Sequence, residues 1–136
     1  MADTGLITDV GENIGVEYLV NRDSPENLVL RLFQNDFTPD EETTDGDLTE
    51  ADFSGYSAQT LAGGSWSAAS GGSTSFAEQS FTADGDIAVA QTVYGWYMTR
   101  ATGGEVVAAG RFSNPPTLEV EGDTVRVTPT ITAAGA

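Results

Sequence analysis

The chain has 136 residues, including 21 acidic residues, five arginines and no lysine, histidine or cysteine, so its formal net charge is −16. Without histidine, cysteine or lysine, the sequence excludes a Ser-His triad, a cysteine nucleophile, a Schiff-base lysine and a His/Cys zinc site. The lack of a basic stripe excludes ordinary binding to DNA phosphate, and no apolar run approaches the roughly 20 residues of a membrane span.

The N-terminal stretch MADTGLITDV contains neither a basic n-region nor an apolar h-region, so we expect a soluble chain without an export signal. At this length we expect a single domain, 1–136, that buries roughly two thirds of its unfolded surface.

The strong negative charge has two interpretations. Low hydrophobicity with high net charge is typical of disordered chains, but the apolar strands described below argue against disorder for most of this one. The alternative is adaptation to a hypersaline environment. The Debye length falls to about 3 Å at 1 M salt, where the repulsion between carboxylates largely disappears. Abundant Asp and Glu without any lysine favours this halophilic interpretation.

The N-terminal part predicts a short helix followed by a buried strand. A helix over Thr8–Val20 would place Val10, Ile14 and Tyr18 on one face, with Thr8 or Asp9 as its N-cap, although Gly11 and Gly15 weaken this prediction. After a turn at 23–27, the run Leu28–Phe33 has the composition and length of a buried strand.

The segment 37–53 is predicted to be an acidic loop, because seven of the thirteen residues from Asp40 to Asp52 are carboxylates. Part of a calcium-loop register is present, with weak candidate ligands at Glu41, Asp45, Asp47 and Asp52. It lacks the usual first Asp, the bidentate last Glu and flanking helices, so the sequence favours a solvated acidic loop over a specific cation site. Residues 47–50 predict a short turn of helix leading to Phe53.

The middle of the chain alternates short strands with turns. Gly55–Leu61 predicts a strand, Gly63 and Gly64 a turn, and 62–75 an exposed Gly/Ser-rich loop. Another strand is expected between Phe76 and Phe81, ending at 83–86.

The hairpin Gln91–Phe112 is the predicted centre of the core, with Tyr94, Trp96, Tyr97 and Phe112 as core residues. Its first strand, Thr92–Arg100, is apolar on both faces, which is typical of a strand covered on both sides. Regular alternation would place Tyr94, Trp96 and Met98 on one face and Val93, Tyr97 and Thr99 on the other. Ala101–Gly104 supplies the turn, and Glu105–Phe112 returns.

A final hairpin is predicted from Thr117–Val120 and Thr124–Thr132, joined by the turn 121–123. Val125, Val127 and Ile131 would face the core, while Pro129 suggests an edge strand. Short strands with turn signals every ten or so residues predict an all-β fold, mainly an antiparallel, jelly-roll-like β-sandwich with a short N-terminal helix.

Catalysis is not expected. A paired-carboxylate hydrolase is formally possible, but none of the acids has the apolar sequence context that would raise its pKa for acid chemistry. The Gly-Gly pairs lack the sequence context of a phosphate-binding loop, so no cofactor is expected either.

Several stretches follow one another along the chain: Leu28–Phe33, an acidic loop ending in 48–51, Gly55–Ala58, Trp66, Val93–Tyr97 with a Thr-Gly-Gly turn, Ala109–Phe112 and Gly122–Pro129. This order resembles that of small β-sandwich virion proteins encoded by tailed viruses. The resemblance implies a capsid accessory protein on the outer surface of the virion, such as a decoration, turret or fibre-base component. The absence of lysine then suggests a haloarchaeal virus. The chain has no collagen-like or coiled-coil stretch, unlike a fibre protein.

The resemblance implies two partners, further copies of the chain and the major capsid protein. We expect Thr117–Thr132 or the chain termini to contribute to self-association, with possible contacts at Thr124, Arg126, Thr128 and Thr130. Deletion of Thr124–Ala136 should then abolish assembly, unless this segment only completes the core.

Two other functions are compatible with the sequence. A carbohydrate-binding module would expose Trp66, Tyr94, Trp96 or Tyr97 as a stacking platform, and a tail or fibre-base component would take part in host attachment.

Overall fold

A computed structural model describes residues 5–133. Within them the chain is mostly strand in antiparallel sheets, with one helix, which confirms the all-β class. The elements are β1 (Leu6–Ile7), α1 (Asp9–Leu19), β2 (Leu28–Phe33), β3 (Gln59–Leu61), β4 (Ser73–Ser75), β5 (Gln79–Thr82), β6 (Gln91–Thr92), β7 (Gly95–Arg100), β8 (Val106–Arg111), β9 (Thr117–Leu118), β10 (Thr124–Val127) and β11 (Thr130–Thr132). Two 3-10 turns lie at Asp45–Asp47 and Gly63–Ser65.

The largest sheet has five strands in the order β1-β8-β7-β2-β3. Three further pairs, β10-β5, β11-β4 and β6-β9, form two-stranded sheets. In β7 and β8 every residue except the terminal arginine is buried, so both faces of the central hairpin are covered, as its apolar pattern predicts.

Different parts of the chain cover the two faces of the five-stranded sheet. Leu32, Trp96 and Met98 belong to one core cluster with Phe81 of β5 and Val127 of β10. On the opposite side, Phe33, Tyr97 and Ala109 cluster with Leu48, and Phe37 packs against them. The acidic loop is therefore not simply solvated, because Phe37 and Leu48 cover the sheet while its carboxylates other than Glu50 are exposed.

Helix α1 begins where its sequence predicts and packs against β8. The Thr8 hydroxyl accepts a hydrogen bond from the Gly11 amide and donates one to the Val106 carbonyl, at 3.0 and 2.6 Å. The helix is therefore capped and joined to the sheet by one side chain.

The two glycines of α1 should respond oppositely to the same substitution. A Cβ at Gly11 would lie 2.2 Å from the Val107 carbonyl oxygen, whereas a Cβ at Gly15 meets nothing within 4 Å. Gly15→Ala should stabilise the monomer by about 1 kcal/mol through helix propensity. Gly11→Ala should be destabilising, because overpacking against backbone costs about 1–3 kcal/mol. Thermal unfolding of both variants at low protein concentration tests the pair, and equal shifts would contradict the close packing of α1 on β8.

The predicted strand Thr92–Arg100 is in fact two strands, which corrects the predicted faces. Val93 lies in the cluster of Trp96 and Met98, and Tyr94 packs with Tyr97, the reverse of regular alternation. The reason is a change of partner. The Val93 amide bonds to the Pro116 carbonyl, and the Tyr94 amide bonds to the Phe33 carbonyl, so the chain passes from the β6-β9 sheet to the central sheet here.

The predicted final hairpin is wrong in its pairing. The turn exists, with the Asp123 carboxylate accepting from the Glu119 and Val120 amides. Its flanking strands diverge, however, since β9 pairs with β6, β10 with β5 and β11 with β4. Each strand pairs with a distant strand instead, and this arrangement buries Leu118, Val125 and Val127. Buried Pro129 separates β10 from β11.

Three smaller predictions also need correction. The strand predicted over Gly55–Leu61 is confined to β3, because Gly55 turns the chain at φ +90°. The predicted loop 62–75 ends in β4, which pairs with β11, and the strand between Phe76 and Phe81 is displaced to β5. The helical turn expected at 47–50 lies at Asp45–Asp47 instead.

Candidate functional site

The aromatic residues predicted for the core lie largely within it. Trp96, Tyr97 and Phe112 are buried, and Tyr94 is half-buried with the Arg111 guanidinium 5.2 Å from its ring centre. Trp96 and Tyr97 therefore have no free face for a sugar. Trp66 is half-buried and packs edge-on against Phe76.

The predicted cation ligands do not converge. The Asp47 carboxylate accepts the Thr44 amide at 2.9 Å, and the Asp52 carboxylate accepts the side-chain amides of Gln34 and Gln91. Within residues 5–133, the group of carboxylates close enough to share an ion consists of Glu41 with Asp9 and Glu12, and their oxygens lie within 4.8 Å of one another.

All three carboxylates of this group are exposed. Asp9 and Glu12 occupy the first turn of α1, where negative charge favours the helix dipole, and the Asp9 amide donates to the Glu41 carbonyl at 2.8 Å. The first-turn acids are visible in the sequence, but the loop contact that brings Glu41 to them is not. Exposed carboxylates so close together repel one another most strongly in dilute salt.

A polar network connects the acidic loop to the central sheet. One Arg31 nitrogen lies 3.1 Å from both Glu50 carboxylate oxygens, and Arg31 also donates to the Thr99 hydroxyl. The Tyr56 hydroxyl donates to Glu50 at 2.6 Å and accepts the Leu32 amide at 3.2 Å. Every member has a partner, so the network stabilises the contact between the acidic loop and the sheet.

Burial governs the titration of two tyrosines near this network. It raises the pKa of Tyr56 well above 10.0, and the hydrogen bond to Glu50 adds to the shift. Burial also raises the pKa of Tyr97, with further contributions from the negative charges of Glu50 and Asp45.

These shifts predict an alkaline limit to stability. The unfolded phenols ionise near pH 10, before the folded ones, so the stabilisation is complete below that pH and is lost progressively as pH rises from there toward the folded pKa values. Absorbance of phenolate should therefore rise for these two residues only as the fold is lost. Tyr97→Phe should remove one late-titrating phenol and flatten the alkaline fall in Tm. Early titration of Tyr97 in the folded protein would contradict its burial.

The arginines are all paired with acids. Arg31, Arg100 and Arg111 lie partly buried against Glu50, Glu105 and Asp36 respectively. Arg22 and Arg126 are largely exposed and pair at 3.6 and 3.8 Å with Glu17 and Glu78.

The residues predicted for self-association lie along β10 and just beyond it. Thr124 is half-buried and hydrogen-bonds Thr82 across the strand pair, Arg126 is exposed, and Thr128 and Thr130 are half-buried. The chain ends 1–4 and 134–136, also predicted as contacts, lie outside the described residues.

Sequence reasoning missed an apolar surface on the outer side of α1. Val16, Leu19 and Val20 are 59%, 85% and 65% exposed, and we call them, with Gly15, the α1 outer face. Beside it opens an apolar cavity of about 180 Å³, the α1 groove, whose walls include Gly11, Ile14, Gly15, Val107, Ala108 and Ile131. The sequence does indicate this surface, because the helix carries valine and leucine outside the apolar stripe that packs against the sheet.

Among the described residues, the buried polar side chains are the threonines Thr8, Thr43 and Thr99, so the acids there remain in contact with water. Within 5–133, no helix has the length and apolar character needed to cross a membrane. Comparison with protein-family models and with curated proteins found no match to the chain.

Proposed function

We propose that the chain is a non-catalytic structural protein of a tailed virus that decorates the outer surface of the capsid as a decoration or turret component. It does so by associating with copies of itself and by binding the major capsid protein. The observation that carries this proposal is the α1 outer face, an apolar surface on an otherwise strongly acidic molecule. Contiguous exposed apolar surface of this kind is typical of protein–protein contact sites.

The finer fold is part of the proposal. We take the five-stranded sheet and the small strand pairs as the layers of a jelly-roll-like β-sandwich. The shared cluster of Leu32 and Trp96 with Phe81 and Val127 supports this interpretation. Such a domain gives a particle a rigid part without requiring any reactive group.

The proposal also includes a hypersaline setting, with a haloarchaeal virus as the source. At a net charge of −16, copies packed side by side on a shell repel one another in dilute salt. Molar salt screens that repulsion over about 3 Å and so permits dense packing.

Purified virus particles test the proposal directly. Quantitative proteomics should find the chain at tens to hundreds of copies per particle, and the purified protein should rebind, in high salt, to particles stripped of it. The copy number of the chain is measured relative to that of the major capsid protein, which reports the number of positions in the shell. Absence from the particles, or failure to rebind at any salt concentration, would remove the proposed role.

A further inference from the structure

The α1 outer face combines a protruding side chain with a hole. Leu19 is 85% exposed and lies one helical turn after Gly15, on the same ridge of the helix. Gly15 has open space where a side chain would stand, and it forms part of the wall of the α1 groove.

The groove matches the side chain in size and chemistry. An apolar cavity of about 150 Å³ accommodates benzene. The α1 groove, at about 180 Å³, therefore has room for a leucine side chain. Its lining is almost entirely apolar, with Ile14 and Ile131 on either side, so an aliphatic group is favoured over a polar one.

We propose that the α1 outer face binds a second copy of this chain, with the two α1 helices antiparallel about a twofold axis. Leu19 of each copy fills the groove beside Gly15 of the other, and Val16 packs near the axis. A twofold contact uses the same patch on both copies, so it needs a knob and a hole on one surface. The α1 outer face carries both.

The charges along α1 favour the antiparallel arrangement. Its first turn is acidic, with exposed Asp9 and Glu12, whereas Arg22 follows its last turn and Arg100 interacts with Tyr18 at the same end. An antiparallel pair centred between Gly15 and Leu19 brings the last turn of each helix, and with it Arg22, toward the acidic first turn that carries Glu12 in the other copy. A parallel pair would instead place the two acidic ends together.

The same complementarity distinguishes a second copy from other occupants. An anionic membrane would be repelled by a chain of this charge and offers no cation, whereas in the antiparallel pair each copy brings an arginine toward the acidic first turn of the other. The inference deepens the self-association in the proposed function and rests on it. Most of the net charge lies outside the contact, so association should strengthen as salt rises.

Sedimentation equilibrium in about 3 M KCl, where repulsion is screened, tests the contact. The wild-type chain should be dimeric. Leu19→Ser removes the knob and Gly15→Gln fills the hole, and each should weaken the dimer on the order of tenfold or more. A Cβ at position 15 meets nothing within 4 Å, and glutamine favours helix over glycine, so the fold of Gly15→Gln should be intact by circular dichroism. Val89→Ser, at an 81% exposed valine outside α1, is the matched control and should leave the dimer unchanged.

A charge swap tests the orientation. At the lowest salt concentration at which the wild type is dimeric, where screening is weakest, Arg22→Glu should weaken the dimer, and adding Glu12→Arg to it should restore association. A monomeric wild type, or a Leu19→Ser variant as dimeric as the wild type, would overturn the inference, as would failure of the swap to restore association. Loss of capsid binding by Leu19→Ser without a change in oligomeric state would also overturn it, because the capsid protein would then be the occupant. Rebinding to stripped particles reports the proposed function separately from the dimer.

Discussion

Transfer from about 3 M to about 0.05 M salt is expected to lower the Tm of the chain markedly, because the Debye length then grows from a few ångströms to more than 10 Å. The 16 uncompensated negative charges repel one another through that larger distance. Where the structure brings acids together, as with Asp9, Glu12 and Glu41 within 4.8 Å, the cost is local as well as global. A loss of about 4 kcal/mol would lower Tm by on the order of 15 °C. Circular dichroism melts across the salt series measure this fall.

Two controls identify screening as the cause. Glu41→Gln removes one charge of the exposed group without touching the favourable first-turn acids of α1. It should raise Tm in dilute salt and leave Tm in molar salt nearly unchanged. Sucrose, which favours compact states without screening charge, should not substitute for salt. An unchanged Tm across the series would contradict the halophilic interpretation.

The elements predicted correctly from the sequence are those specified by local pattern. Leu28–Phe33 forms β2 with the predicted bounds, and α1 begins after its predicted Thr8 cap. The two-faced apolar pattern of β7 marked it as a covered strand. In each case the signal lies within a few residues of the element.

Pairing between distant strands was not predictable in the same way. The Glu121–Asp123 turn suggests that β9 and β10 pair, and nothing local indicates that Gln91 lies opposite Leu118 or that Phe81 lies opposite Val125. These partners are chosen by which arrangement buries the most apolar surface, a property of the whole chain. For the same reason, the partial calcium-loop pattern around Asp45 did not show that Glu41 would lie beside the first turn of α1.

The candidate surface shows a different limitation. The helix was predicted from Val10, Ile14 and Tyr18, but Val10 is exposed and the inner face also uses Gly11. The periodicity of apolar residues indicates which residues share a face of the helix. Packing against the sheet determines which of those faces is buried. Gly11 allows the helix to approach Val107 closely, so the helix turns Val16 and Leu19 outward.

Deletion of Thr124–Ala136 is expected to abolish the fold itself, and not only assembly. The deletion removes β10, the partner of β5, together with Val125 and Val127 of the main core cluster. It also removes β11, which pairs with β4. Losing two buried valines costs about 3–6 kcal/mol before any hydrogen bonds are counted, which is a large part of the 5–15 kcal/mol that stabilises a typical domain. Far-UV circular dichroism in about 3 M salt should show loss of the strand signal.

Point variants separate packing from contact along β10. Val127→Ala, at a buried position, should lower the free energy of unfolding by about 2 kcal/mol and leave the oligomeric state of the folded fraction unchanged. Arg126→Ser, at the neighbouring exposed position, should leave stability within about 0.5 kcal/mol, since exposed ion pairs contribute little. If Arg126→Ser instead dissociates the oligomer while the chain stays folded, β10 contacts a second copy as the sequence predicts, and the interface extends beyond α1. If the truncated chain keeps its strand signal, β10 does not complete the core.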